Sequence, residues 1–282
     1  MQPVSYICLL CAAVIGSQVA AECASDAQIE RYVQDYVTNT PTAALSVNGS
    51  MEDAYCTQAK IVAALEPHMG PVIGYKAGLT SKPAQERFGA AEPIQGVLFR
   101  DMMLEDRATV PTAWGARPVF EADLVLVVAD AGINQATTPQ EVIAHVAAIR
   151  PFIELPDLTL AEGEPITPVT LTAIGVAPKL GVLGSEIPVS DAEAMTKALA
   201  DMTVTLSAAD GEVLAQAPGT AVLGHPANAA LWLMSKGIVF ESGDLISVGS
   251  FGPLVPPAKG KGGASVTYTG LPGDPTVSVT FE

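Results

Sequence analysis

The sequence predicts an α+β fold, much of it sheet, with helices at the periphery. Helical periodicity is confined to short stretches, the clearest of them near the N-terminus. The second half carries strand-length runs, two of them joined at Asp210-Gly211, a pair suited to a tight hairpin turn. The 25 glycines and 22 prolines are spread throughout, with no linker-like cluster and no repeat, so the 282 residues read as one domain behind an N-terminal appendage.

Composition narrows the partners. With 49% hydrophobic residues the chain can bury a large core. Only 16% of residues are charged and the formal net charge is -16, without a lysine or arginine cluster. Such a surface repels phosphate backbones and anionic lipid, which argues against nucleic acid and membrane surfaces as partners. A small anionic substrate would need locally fixed positive charge, from a lysine or a metal ion.

The elements follow in order. Tyr6 to Gly16 form an apolar run, after which Val19 and Ala21 suit the two small-residue positions of a signal-peptidase site. The reading is a signal peptide over residues 1–21, cleaved after Ala21, and hence a periplasmic or secreted protein. The run is shorter than the ~20 residues of a membrane span. Cleavage removes Cys8 and Cys11, leaving Cys23 and Cys56, which are expected to pair as a disulfide; two buried thiols are the alternative.

Residues 25–38 and 52–66 read as helices, with Ile29, Val33 and Val37, then Ile61 and Leu65, at helical spacing. Proline and glycine in "EPHMGPVIG" break the second. A short strand then enters a glycine-flanked lysine, Lys76, in "VIGYKAGLTS". Lys82 to Gly89 reads as a short helix and "GVLF" as a strand.

The next strand, roughly 119–128, poses a chemical problem. Its sequence "PVFEADLVLVV" puts Glu121 and Asp123 two residues apart, so both leave one face, while Leu124 to Val128 form a run suited to burial on both sides. Like charges this close repel, and burying them unpaired costs several kcal/mol. A basic side chain, protons, water or a metal ion must neutralise them. The alternative is a strand end wet by solvent.

Thr138 caps the following helix, with Pro139 at its first position and Glu141 completing a capping box. Val142, Val146 and Ile149 line one face, and the helix is expected to stop at Arg150-Pro151. "FIELPDL" is the next strand and brings Glu154 back towards the same sheet. Beyond the hairpin, "GHPANAALWLMSKG" reads as a helix with Pro226 near its first turn, and "GDLISVGS" and "ASVTYTG" with "TVSVTFE" as closing strands. His68, His145 and His225 are widely separated and do not suggest zinc; His145 is expected on a solvent-facing helix surface.

Four motifs in series, "GYKAGLTS", "FEADLVLVV", "FIELPDL" and "LGHPANAALWL", run in the same order from about Val72 to the C-terminus as in a known family. Together they resemble the fumarylacetoacetate hydrolase superfamily, and within it the branch of 2-keto-4-pentenoate hydratases and 4-oxalocrotonate decarboxylases. The helical spacing ahead of these motifs reads as an N-terminal helical segment over 22–70. The resemblance implies a rolled mixed β-sheet in a catalytic domain over 71–282. It implies a homo-oligomer and a divalent metal, Mg²⁺ or Mn²⁺, held by an acid-x-acid pair and a later glutamate. Those positions are Glu121, Asp123 and Glu154 here, with Asp123 where relatives usually carry glutamate. The lysine of the family's "G-x-K-x-G-L-T" stretch is Lys76, a catalytic candidate for charge stabilisation or proton exchange. Three carboxylates without a soft ligand suit a hard cation that keeps open positions for substrate.

The pattern also breaks. Ile94 stands where hydratases of this branch carry an aspartate, and Ile174, Gly175 and Ala177 replace a polar D-N-x-S-like run. The lysine-rich "PPAKGKGG" replaces a C-terminal "G-D". Isoleucine and alanine cannot move protons. Lys179 and Lys259 are candidates for binding an anionic substrate, against a simple exposed role. The expected function is a metal-dependent lyase acting on a small 2-keto acid through a stabilised enolate. A noncatalytic ligand-binding relative, and a C–C bond hydrolase of the wider superfamily, remain as alternatives.

Overall fold

Helices α1 (Asp26–Val37) and α2 (Met51–Met69) open the computed structural model, which describes residues 23–282. The expected signal peptide lies outside the described residues. Ser50 caps α2: its hydroxyl accepts from the Asp53 amide while the Asp53 carboxylate accepts from the Ser50 amide. The helix outruns its predicted end at 66, continuing through Pro67, because a proline in the last turn disturbs little of the helix that remains. Gly70, at φ 72°, ends it. The Cys23–Cys56 disulfide forms as expected and ties the chain before α1 to α2.

The chain then runs through β1 (Val72–Gly78), α3 (Lys82–Phe88), β2 (Ile94–Phe99), β3 (Met103–Glu105), β4 (Ala108–Val110) and β5 (Glu121–Val128). It continues with α4 (Pro139–Ala144), β6 (Val146–Leu155), α5 (Pro168–Ala173), β7 (Leu180–Leu183), β8 (Ile187–Pro188) and α6 (Ala192–Asp201). The hairpin β9 (Thr203–Ala208) and β10 (Val213–Pro218) follows, with α7 (Asn228–Ser235), β11 (Leu245–Ser247), β12 (Gly263–Thr269) and β13 (Thr276–Phe281). The hairpin turns at Asp210-Gly211 as predicted, with Gly211 at φ 87°.

Two mixed sheets result. One is eight-stranded, ordered β2-β1-β11-β5-β6-β7-β3 with β8 beside β6; the other is five-stranded, ordered β10-β9-β12-β13-β4. The predicted curled, mixed-sheet architecture with peripheral helices is observed. Between the sheets, Leu124, Leu126, Ile149 and Ile153 share a core with Leu206, Val266 and Tyr268. On the other face of the larger sheet, Val125 and Phe152 belong to a second core with Ile29, Ile61, Leu65 and Leu171 from the helices. Each fully buried aliphatic side chain contributes roughly 1.5–3 kcal/mol, so β5 and β6 are anchored on both faces.

One expectation fails in an informative way. The helix after Thr138 stops at Ala144, and Val146 and Ile149 belong to β6, antiparallel to β5. Six residues make little more than one helical turn, whereas the apolar run from Val146 can pair along the whole of β5. Pro151 is tolerated inside the strand: its carbonyl points away from β5, to the amide of Gly184, so its missing donor falls on that side too.

Candidate active site

Strand alternation and register assemble the acids. Glu121 and Asp123 leave one face of β5, and the β5–β6 register sets Glu154 directly opposite Glu121. All three are buried, at 9%, 0% and 1% exposure. Lys76, from β1, is buried beside them; its ammonium pairs with Glu154 and donates to the Val176 carbonyl at 3.0 Å. A lysine, then, neutralises one of the three acids, and the wet strand end is not what forms.

The other two carry the electrostatic cost. Burial, and then the charge of Glu154, hold the Glu121 carboxyl well above the usual carboxylate range. The same two causes push Asp123 up to about 7, while the Ser247 hydroxyl and the Leu124 amide act to lower it. Asp123 is bound on both oxygens: Ser247 Oγ donates to Oδ2, and the amides of Leu124 and Gly249 donate to Oδ1. Gly249 is required for this. A Cβ there would lie 2.4 Å from Thr80 Oγ1 and 2.7 Å from the Ala77 carbonyl, and its φ is +98°.

The segment after α5 forms one wall. Gly175, Val176 and Ala177 all adopt left-handed backbone, at φ 72°, 62° and 57°. Two consecutive non-glycine residues in this region, one of them β-branched, mark a strained strap. The strap turns the Val176 carbonyl onto Lys76, and its Ala177 carbonyl accepts from the Asp157 amide. In place of a polar side chain from this segment, a main-chain acceptor holds the lysine. Gly96 leaves room for the strap, since a Cβ there would lie 2.2 Å from the Gly175 carbonyl oxygen. Ile94 is buried and pairs with Gly78, two residues beyond Lys76 on β1; a Cβ built on Gly78 would meet the side chains of Val176 and Ile94. That side of Lys76 is apolar.

The remaining candidates stand elsewhere. Lys179 donates to the Tyr36 carbonyl at 2.8 Å and lies 3.9 Å over the Tyr36 ring. Burial pushes its ammonium pKa down. These contacts make it a strut between α1 and the start of β7. Lys259 is exposed, on a 3-10 turn over Pro257–Gly260. His145 ends α4 half-buried, with Nδ1 2.9 Å from Asp130 Oδ1, rather than on an open helix face. Sequence reasoning missed Ser247 and Tyr268. The signal for Ser247 was a hydroxyl inside a wholly buried strand, where a polar group needs a partner.

The donor set suits a hard divalent cation in charge and in type. Three carboxylates face one ammonium, and every donor is oxygen. Among the described residues, however, no three acidic, histidine or cysteine side chains form a ready-made metal cluster. Glu154 is turned to Lys76 and Asp123 to Ser247, so side chains must rotate to converge.

Comparison with known proteins agrees with this architecture. The fumarylacetoacetate (FAA) hydrolase C-terminal family matches residues 63–273. The 2-keto-4-pentenoate hydratase of Paraburkholderia phymatum is 34% identical over 188 residues, covering 65% of this chain and 70% of that protein. The 2-hydroxyhexa-2,4-dienoate hydratase of Comamonas testosteroni is 30% identical over 217 residues, covering 75% and 80%. In structure, 4-oxalocrotonate decarboxylase from Pseudomonas putida G7, complexed with magnesium and adipate, matches with a TM-score of 0.76 at 24% identity, over 91% of this chain and 96% of that one. The chain belongs to the fumarylacetoacetate hydrolase family.

Proposed function

We propose that the protein is a lyase of the hydratase or decarboxylase type that acts on a small 2-keto acid, with Mg²⁺ or Mn²⁺ held by Glu121, Asp123 and Glu154. The observation that carries the reading is the burial of these three carboxylates around one ammonium, Lys76. Relatives named as hydratases support the reaction class, and the magnesium complex of the decarboxylase supports the cation. When bound, the cation supplies a Lewis acid at the 2-keto oxygen, where charge develops as an enolate forms.

Lys76 is fixed between Glu154 and the Val176 carbonyl, and so presents a rigid positive charge beside the acids. Its ammonium is the group placed to give or take a proton at the enol. Ile94 and Ala177 carry no exchangeable proton and exclude water from their side of the site. Their presence favours enolate chemistry, such as decarboxylation or tautomerisation, over addition of water. An oxidising compartment belongs to the same reading, supported by the Cys23–Cys56 disulfide.

Calorimetric titration of metal-stripped protein with Mn²⁺, with and without oxalate as an enolate mimic, tests the proposal. Mn²⁺ binding strengthened by oxalate is expected, followed by turnover in a screen of 2-keto acids. Binding without oxalate coupling would reduce the ion to a structural one, and no binding would overturn the reading in favour of a noncatalytic relative.

A further inference from the structure

Tyr268 belongs to β12 in the smaller sheet, yet its hydroxyl lies in the seam between β5 and β6 of the larger one. The side chain is wholly buried. The Phe152 amide donates to the hydroxyl at 3.0 Å, and the hydroxyl donates to the Asp123 carbonyl, with the Phe152 carbonyl 3.1 Å away. Asp123 and Phe152 are opposite one another in the β5–β6 register. The phenol oxygen therefore bonds to main-chain groups of both strands at this pair of the ladder.

The place matters. Two residues along the same seam, Glu121 faces Glu154, and the side chain of Asp123 itself belongs to the acid cluster. Core packing gives no reason for the hydroxyl, because phenylalanine would fill the same space without a polar atom to satisfy. Its partners are main-chain groups of rigid, doubly packed strands, so the spacing it imposes cannot relax by rotamer change.

We infer that Tyr268 is a positioning residue: its hydroxyl, wedged between Asp123 and Phe152, sets the separation of the Glu121/Asp123 pair from Glu154 and thereby the cation affinity of the site. The inference rests on the metal-dependent reading above.

The test compares wild type, Tyr268→Phe and a control, Tyr36→Phe, which removes a buried hydroxyl that also bonds to main chain, at the Pro178 carbonyl. Mn²⁺ affinity is measured by calorimetry, and metal-free stability by thermal unfolding. Tyr268→Phe is expected to weaken Mn²⁺ binding about tenfold or more, the usual scale for groups that orient ligands, with a melting temperature close to that of Tyr36→Phe, which leaves Mn²⁺ binding intact. Mn²⁺ affinity indistinguishable from wild type overturns the inference alone, as does a loss of affinity matched by a general loss of stability. Wild type that binds no Mn²⁺ overturns both the inference and the functional reading. Should Tyr268→Phe fail to fold, Mg²⁺ titration of ¹⁵N-labelled wild type decides. The Phe152 amide, bonded to the phenol, is expected to shift as Mg²⁺ binds, and a stationary resonance overturns the inference.

Discussion

Glu154 is shared: the Lys76 ammonium pairs with it from β1, 78 residues away in sequence, while Glu121 stands opposite it on β5. Under the proposed function, a divalent cation would compete with the lysine for this carboxylate. Its binding would loosen the ion pair and turn the ammonium towards an acid substrate.

Lys76→Met retains much of the buried stem and removes the charge. Breaking a buried ion pair from one side costs about 3–5 kcal/mol, so the metal-free variant should unfold at correspondingly lower denaturant. Mn²⁺ should restore stability to this variant. Turnover should fall by about 10²–10⁴, the range of a lost acid–base group, and by more than Mn²⁺ affinity changes. An equal loss of both would remove Lys76 from the chemistry.

Glu154→Gln keeps the shape of the side chain and removes its charge. Mn²⁺ binding should be lost in calorimetry, and the buried Lys76 is left without its counter-ion. Binding unchanged from wild type would sink the ligand assignment.

The acids also set a pH dependence. The folded state raises Asp123 to about 7 and Glu121 well above the carboxylate range, so it binds more protons than the unfolded chain between about pH 4 and 7. Their contribution is full below the ordinary carboxylate pKa and is lost as pH rises through the folded one. In metal-free protein, urea unfolding should show wild type losing stability relative to Asp123→Asn between about pH 5 and 8. Mn²⁺ affinity should run the opposite way, rising with pH, because ligation requires the carboxylates deprotonated. A wild-type stability that climbs relative to Asp123→Asn over this range would show the acids already ionised.

The Cys23–Cys56 disulfide closes a loop with a sequence separation of 33. Loop-closure entropy puts its contribution at about 3–4 kcal/mol. Replacing both cysteines with serine should lower the unfolding free energy by that amount and leave Mn²⁺ affinity unchanged. No loss of stability would mean that the N-terminal helices are held by packing alone.

Lys179→Ala should separate a strut from a substrate-binding group. Loss of its hydrogen bond and its contact with the Tyr36 ring is expected to cost about 1–2 kcal/mol of stability. The KM for the acid substrate should stay unchanged; a raised KM would return Lys179 to the site.

Much of the site was legible in the chain because its signals are local. Alternation along a strand puts Glu121 and Asp123 on one face whatever surrounds them, the turn at Asp210-Gly211 needs no partner, and serial motifs carried the family assignment. The helix expected through Ile149 was misread for the opposite reason. Val146 and Ile149 fit a helical face and a strand equally well, and pairing with β5 settles which.

The serial motifs were enough to assign the fold family and, through that resemblance, to mark the acid pair, Lys76 and Glu154 as candidates. Three-dimensional packing chose what each of them meets. It paired Lys76 with Glu154, drew Asp123 to Ser247, placed Lys179 on Tyr36 and wedged the Tyr268 hydroxyl between two strands. None of these pairings has a sequence period, because each joins segments brought together by sheet order and register. Burial then made each pairing obligatory, since a charge or hydroxyl without a partner in the core costs more than the fold can spare.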